Sequence, residues 1–456
     1  MKRRWGSFGF PSFGALAVSC VTGVGIGGLG CAHGATTDSA SSASSVASAK
    51  APEATVLAAN SAGPAPRASA SAVTASSPAA SAANLDPDAA APVAAAKSEA
   101  PLEGEDFAVQ ARRLFRVAAC GSSDDLPSRF DATVVAKHCD ELAHAYEDYK
   151  KSWLEVAEPF LASLRPKTLP DVVVYPFGGG DLVSALATFP DASEITTISL
   201  EPAGDVRPID QLPPEKLGRE LAAHRSHLER LFEKAHSRTD NLEKEAQADL
   251  PGEIVFALGA LVVHGDEPVS LRYFHLGADG AVAYVTQAEI DAQAHHPKAL
   301  RALFDNAELR FRKSGHPEAP VQVLRHIAFN LDDAHLKADP SLLAHLSAKG
   351  KVAAMTKAAS HLLWNDHFSM IRDWLVGHTD WMVSDSTGIP PRYAQPAGYS
   401  QDTYGTFDGP ALFGLYDDKD ANDFKHLFSS EPPRELAFRY GYPDRDGHAH
   451  LIVTRR

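Results

Sequence analysis

The residues best placed for chemistry follow an apolar run. Asp171-Val172-Val173-Val174-Tyr175-Pro176-Phe177 leads into Gly178-Gly179-Gly180-Asp181, and a second run ends in Leu200-Glu201-Pro202. Three glycines between a strand and a helix let backbone amides approach an anion or a ribose, because no Cβ stands in the way. An acid at the end of the next strand sits where nucleotide-binding folds hold ribose hydroxyls. The spacing is not G-x-G-x-x-G, and Pro176 lies in the strand end, so the same residues also read as a tight turn packing a helix onto a sheet.

A second constellation is Ser384-Asp385-Ser386-Thr387-Gly388-Ile389-Pro390, after the apolar Trp381-Met382-Val383. Acid and hydroxyls at a strand's C-terminal end lie where α/β sheets place ligands. Lys357, Ser360, His361, Asp366 and His367 precede it. Ser, His, Asp and Lys together suggest hydrolysis, but no G-x-S-x-G elbow occurs. Asp-Ser-Thr-Gly is equally a turn whose Asp caps its own backbone. The candidate ligand site is therefore Gly178, Gly179, Gly180, Asp181, Glu201, Lys357, Asp385 and Ser386, with no catalytic residue assigned and no cofactor specified. The acids would repel one another unless a ligand, Lys357 or Arg392 reaches in. The 20 histidines include His295-His296, His361 with His367, and His448-Ala449-His450. None has H-E-x-x-H or closed Cys/His spacing, so no metal site is assigned. His448 and His450 read as part of a solvated hairpin.

The elements that must position these groups alternate. Leu142, Tyr146, Tyr149, Trp153, Val156, Phe160 and Leu164 form one apolar stripe on a long helix ending before Pro166, within a helical stretch from 104 to 168. Strands at 171–177 and 194–200 enclose a helix at 182–189, a βαβ unit. Helices at 213–237 and 250–263 precede a hairpin, 269–276 with 281–285, around Gly277-Ala278-Asp279-Gly280. Strands at 320–329, 351–357 and 380–384 alternate with helices at 340–348 and 366–377. A last hairpin pairs 436–442 with 450–454. The pattern predicts a three-layer α/β domain with a mixed, mainly parallel Rossmann-like sheet and hairpins.

The chain has 456 residues, and its beginning predicts export. Lys2-Arg3-Arg4 precedes a Gly-rich apolar stretch, a signal-segment pattern. Cys31 after Gly28-Leu29-Gly30 reads as a lipidation site, and Ala32-His33-Gly34 as a signal-peptidase site. The predicted location is thus the outer membrane or periplasm as a lipoprotein, with secretion as the alternative. Residues 32–103, rich in Ala, Ser and Pro, cannot bury enough surface to fold and read as a tether, leaving 104–456 as a single α/β domain with an N-terminal helical part. The net charge of −15, without a basic cluster, argues against nucleic-acid binding. Of four cysteines, Cys120 and Cys139 fall in the folded part and, in an oxidising compartment, are predicted to form a disulfide.

Two resemblances rest on these motifs. The glycine turn followed by Glu201 resembles the first motif of Rossmann-like methyltransferases, which implies S-adenosylmethionine binding. More widely, Tyr175-Pro176-Phe177-Gly178-Gly179-Gly180-Asp181, Leu200-Glu201-Pro202-Ala203-Gly204, Lys357-Ala358-Ala359-Ser360-His361-Leu362-Leu363, Phe368-Ser369-Met370-Ile371-Arg372 and Asp385-Ser386-Thr387-Gly388-Ile389-Pro390 are similar to a family of uncharacterised exported bacterial proteins and lipoproteins. That family often has Pro where Gly180 stands and a second Asp where Ser384 stands. The resemblance implies export and one domain, and carries no activity. Two functions follow as expectations: an exported lipoprotein whose α/β domain binds a ligand or partner, or a Rossmann-like enzyme using the 178–181 turn and the Asp385 loop.

Overall fold

A strand that opens on three consecutive valines lies at the centre of the sheet. The computed structural model describes residues 103–122, 126–234, 249–410 and 418–456. The predicted signal segment, Cys31 and nearly all of the tether lie outside the described residues. Strand β1 (Val172–Pro176) pairs in parallel with β2 (Glu194–Ser199) on one side and β7 (Val352–Thr356) on the other. β2 pairs in parallel with β6 (Gln322–Ala328), and β7 with β8 (Thr379–Ser384). Five further strands flank this parallel core through antiparallel pairings: β3 (Asp266–Leu276), β4 (Val282–Tyr284) and β5 (Asn306–Lys313) beyond β6, and β9 (Ser400–Gly405) and β10 (His450–Arg455) beyond β8. The full order is β4-β3-β5-β6-β2-β1-β7-β8-β10-β9, a mixed sheet that is parallel at its centre.

Alternation along the strands feeds two cores. Val173, Tyr175, Ile195, Ala353, Met355 and Val383 join one. It also takes side chains from helices α1 (Ala108–Val117), α2 (Ala132–Tyr149), α3 (Glu155–Leu164), α4 (Leu182–Thr188), α5 (Pro214–Lys234) and α6 (Gly252–His264). Val174, Ile198, Ile327, Ala354 and Met382 join the other, with Leu336, Leu342, Leu346, Ile371 and Leu375 from the helices between β6 and β8. A central strand buried on both faces has no polar side to show, which is why β1 reads as an unbroken apolar run.

Three expectations are corrected. The stripe on the long helix does not continue as a single α-helical face. A π turn at Lys150–Leu154 separates α2 from α3. It advances the phase, so Ala157 and Leu161 are buried while Val156 faces out. The last hairpin does not form: β10 has β8 on one edge and β9 on the other, leaving no edge for residues 436–442. Those residues instead send Phe438 and Tyr440 into the core. β5 and β9 are strands that the sequence reading passed over. β5 carries a period-two signal in Ala307, Leu309 and Phe311, all buried. β9 is a polar edge strand without one.

Cys120 and Cys139 are joined in a disulfide, with Cα atoms 5.3 Å apart and a sequence separation of 19. It ties the end of α1 to the middle of α2. Closing a loop of that length stabilises by about 3 kcal/mol in the chain-entropy model. Replacing both cysteines by serine should therefore lower the denaturant-measured stability by roughly 2–4 kcal/mol; a loss below ~1 kcal/mol would show the crosslink to be incidental.

Candidate functional site

Because β1, β2, β6, β7 and β8 are parallel, their C-terminal ends share one edge of the sheet. The glycine turn follows β1, Glu201 follows β2, Lys357 follows β7, and Asp385-Ser386 follows β8. The chain builds outward from β1 through β2 to β6 and later returns to β7 on the opposite side, so the strand order reverses between β1 and β7. In open α/β sheets such a reversal leaves a crevice at the strand ends, the usual ligand position.

At the reversal sits a buried ion pair. Asp181 caps α4 by accepting from Ser184 N at 3.3 Å. Its other oxygen takes the Tyr175 hydroxyl at 2.9 Å and Lys357 Nζ at 2.8 Å. Lys357 also donates to Ser184 Oγ at 2.5 Å and lies over the Tyr440 ring. Asp181 and Lys357 are 4% and 2% exposed. Lys357 thus reaches in among the acids, whereas Arg392 turns away to Asp420 and Asp423.

Asp385 is likewise committed. One oxygen accepts from Ala358 N at 3.0 Å and Tyr442 N at 2.9 Å, the other from Thr387 N at 2.9 Å and the Thr387 hydroxyl. One carboxylate therefore pins its own turn and two neighbouring loops. Gly441, at φ +68°, permits this approach: a Cβ there would stand 1.8 Å from Asp385 Oδ2. Ser386 Oγ bonds His450 Nε2 at 2.8 Å. A hydroxyl on an imidazole is the start of a nucleophile–base pair, but both residues are fully buried and His450 lies against the Phe407 and Phe428 rings. His450 was expected in a solvated hairpin; the insertion of β10 between β8 and β9 buries it instead. Burial is also the main cause that lowers its basicity.

The remaining part of the edge is different. Glu201 N donates to Ser199 Oγ at 3.3 Å, and the Glu201 carbonyl accepts from His326 Nε2 at 2.8 Å. His326 in turn meets Thr197 Oγ1 at 3.2 Å, which places its proton on Nε2. Across the glycine turn stands Glu253, in the first turn of α6. A Cβ on Gly180 would lie 2.9 Å from its Oε2 and equally close to Phe256. The side chain is 5% exposed. Among the described residues neither Glu253 oxygen, nor Glu201 Oε1, has a hydrogen-bond partner. Burial pushes the Glu253 carboxyl up to about 8, and the Glu201 charge adds to the rise. Glu253 was absent from the sequence-based candidates. Its signal was present as the lone acid in an otherwise apolar α6 sequence, Gly252-Glu253-Ile254-Val255-Phe256-Ala257-Leu258.

Backbone strain gathers at the same edge. Phe177, Ala358, Ser360 and His361 all have φ between +48° and +63° without being glycine. They follow β1 and β7, the two strands that flank the reversal. Such residues cost of order 1–3 kcal/mol each and collect at ligand sites. Burial pushes the His361 imidazole down to about 4, so it is neutral at physiological pH. No group of three or more His, Cys, Asp or Glu side chains suited to a metal ion occurs among the described residues, and no described helix is long and apolar enough to cross a membrane. Neither a protein-family model nor a curated protein matches the chain.

The hydrogen bonds of Asp385 make a definite demand. In Asp385→Asn the amide presents N–H groups where Ala358 N or Thr387 N already donates, whichever way it turns. The variant should lose roughly 2–4 kcal/mol in urea unfolding. A variant as stable as the parent would show that Asp385 is free for a ligand.

Proposed function

We propose that the chain is an exported ligand-binding protein. Its α/β domain takes a small molecule in the crevice where β1 and β7 diverge, on the side facing the glycine turn and Glu201. The observation that carries this reading is the concentration of left-handed, non-glycine residues at the ends of β1 and β7. Strain of that kind persists where the surrounding structure holds a loop in one functional shape. The disulfide is in keeping with an oxidising compartment, and hence with export of a lipid-anchored or secreted protein. Asp181, Lys357 and Asp385 support the crevice walls, while Glu201 faces it.

The second reading, a Rossmann-like enzyme, draws on topology. The central run β6-β2-β1-β7-β8 follows the first five positions of the Rossmann order, and the two cores, each fed by strands and helices, support a three-layer reading. Antiparallel β10 is slotted between β8 and β9, so the parallel core is closed off on that side. Against chemistry at the predicted loops stands the internal use of Asp385, Lys357 and Ser386.

Thermal-shift measurements on the full chain, with a panel of nucleosides, adenosyl compounds, sugars, amino acids and amines, separate the readings. At 100 times Kd a ligand stabilises by about 2.7 kcal/mol, a shift of several degrees. Ser360 is exposed and strained, so Ser360→Gly should be equally or slightly more stable, by up to ~1 kcal/mol. It should bind the ligand at least about fivefold more weakly, because the loop loses its preset shape. A ligand confined to adenosyl compounds would favour the enzyme reading. Unchanged affinity in Ser360→Gly, or no ligand from the panel, would count against the crevice.

A further inference from the structure

Buried carboxylate oxygens are hydrogen-bonded or charge-paired in almost every folded protein, because leaving them bare costs more than most folds can spare. Glu253 breaks that rule twice, once at each oxygen, and Glu201 once. Their position is not a packing accident of a long side chain. Glu253 leaves the first turn of α6 and comes to rest on the glycine turn, where Gly180 has no Cβ to exclude it. Gly179 beside it is half-buried, and its Cβ position has only ordinary contacts, at 3.6 Å to Glu253 Oε2 and 3.8 Å to Ser199. Glu201 is half-buried as well, so one member of the pair lies at the boundary with solvent, while the three unpaired oxygens themselves are buried.

We propose that Glu253 and Glu201 form the seat for a positively charged group, an organic ammonium, on the ligand of this crevice. The proposal rests on the crevice reading above and names the chemistry of its ligand. Two carboxylates with three unpaired oxygens between them match the several N–H donors of one ammonium. Apolar neighbours suit the carbon skeleton that carries it: Phe256 lines the turn, Phe177 is half-buried at the end of β1, and Leu200 is 62% exposed beside Glu201. A metal ion would need more ligands than this, and no cluster of three or more suitable side chains is found among the described residues. The other charges at this edge are already used, since Asp181 is paired with Lys357. Among the described groups, Glu201 is the charge that bears on Glu253.

A cation entering this seat must displace the proton that burial keeps on Glu253. The carboxyl releases that proton to solvent, and the ammonium N–H groups donate to the oxygens left behind. For a carboxyl that titrates at about 8, the ionised fraction rises from about one in a hundred at pH 6 to about nine in ten at pH 9. Alkylammonium groups remain charged over that range. Binding should therefore strengthen with pH, opposite to the weakening expected if the amine itself were losing its charge.

The test is calorimetric titration of the full-length chain with butylammonium, 1,4-diaminobutane and calcium chloride at pH 6 and pH 9. The expected result is that at least one ammonium compound binds, on the order of 50–100-fold more tightly at pH 9. Glu253→Gln, nearly isosteric, should keep its melting temperature, bind at least about tenfold more weakly at pH 9 and lose the pH dependence. Should that variant fail to fold, Glu201→Gln is expected to weaken binding in the same direction. Calcium binding without any ammonium binding overturns the assignment, as does ammonium binding that is indifferent to both substitutions. A neutral ligand that binds equally to the parent and to Glu253→Gln, but is weakened by Ser360→Gly, overturns the ammonium seat and leaves the crevice standing. If no compound binds and Ser360→Gly changes nothing, both fall.

Discussion

The buried contact between Asp181 and Lys357 is the constraint on which the rest of the sheet edge depends. It joins the loop after β1 to the end of β7, the two strands from which the chain departs in opposite directions. A lone charge at either position would be costly in an environment this dry, so each residue requires the other. The pair recruits the Tyr175 hydroxyl, caps α4 through Ser184 N and settles over Tyr440. With Lys357 held there, Ala358, Ser360 and His361 adopt left-handed backbone conformations, and Ala358 N meets Asp385. The separate turns after β1, β7 and β8 thus become one connected structure.

That structure divides the edge into two parts. On the β7 and β8 side both oxygens of Asp385 have donors, and Ser386 Oγ meets His450 Nε2 inside the core. On the β1 and β2 side the acids Glu201 and Glu253 do not. The same residue type therefore does different work twenty residues or two hundred apart. Asp181 and Asp385 hold backbone in place; Glu253 remains a cost to the fold unless protonated or occupied. Its raised pKa has a stability consequence. A carboxyl whose folded pKa lies above its unfolded value favours folding while both states are protonated, and that contribution declines as pH rises from about 4.5 toward about 8.

Much of this was legible in the sequence, for identifiable reasons. β1 is a continuous apolar run because it is buried on both faces, β2 is rich in β-branched Ile and Thr, and the turn between β1 and α4 announced itself by three glycines. The disulfide followed from cysteine count and compartment. What escaped was set by tertiary pairing. β9 is polar because it is an edge, and residues 436–442 look like a strand because Phe438 and Tyr440 alternate, although no sheet edge is free to receive them. His450 resembled a solvated turn residue because its burial depends on β9, 45 or more residues upstream in the chain. In sequence Asp385 and Lys357 look like ligand groups because residue types at strand ends carry no information about which neighbours already satisfy them. Glu253 does not, because it comes from a helix rather than from a strand end.

The central claim is that Asp181 and Lys357 exist for each other, not for a ligand. A double-mutant cycle with Asp181→Asn and Lys357→Met, followed by urea unfolding of the full chain, tests it most directly. Each single change should cost roughly 3–5 kcal/mol, and the double change should cost clearly less than their sum, with a coupling of at least about 2 kcal/mol. Single variants that unfold within about 1 kcal/mol of the parent, with additive effects, would contradict the account and return both residues to the ligand.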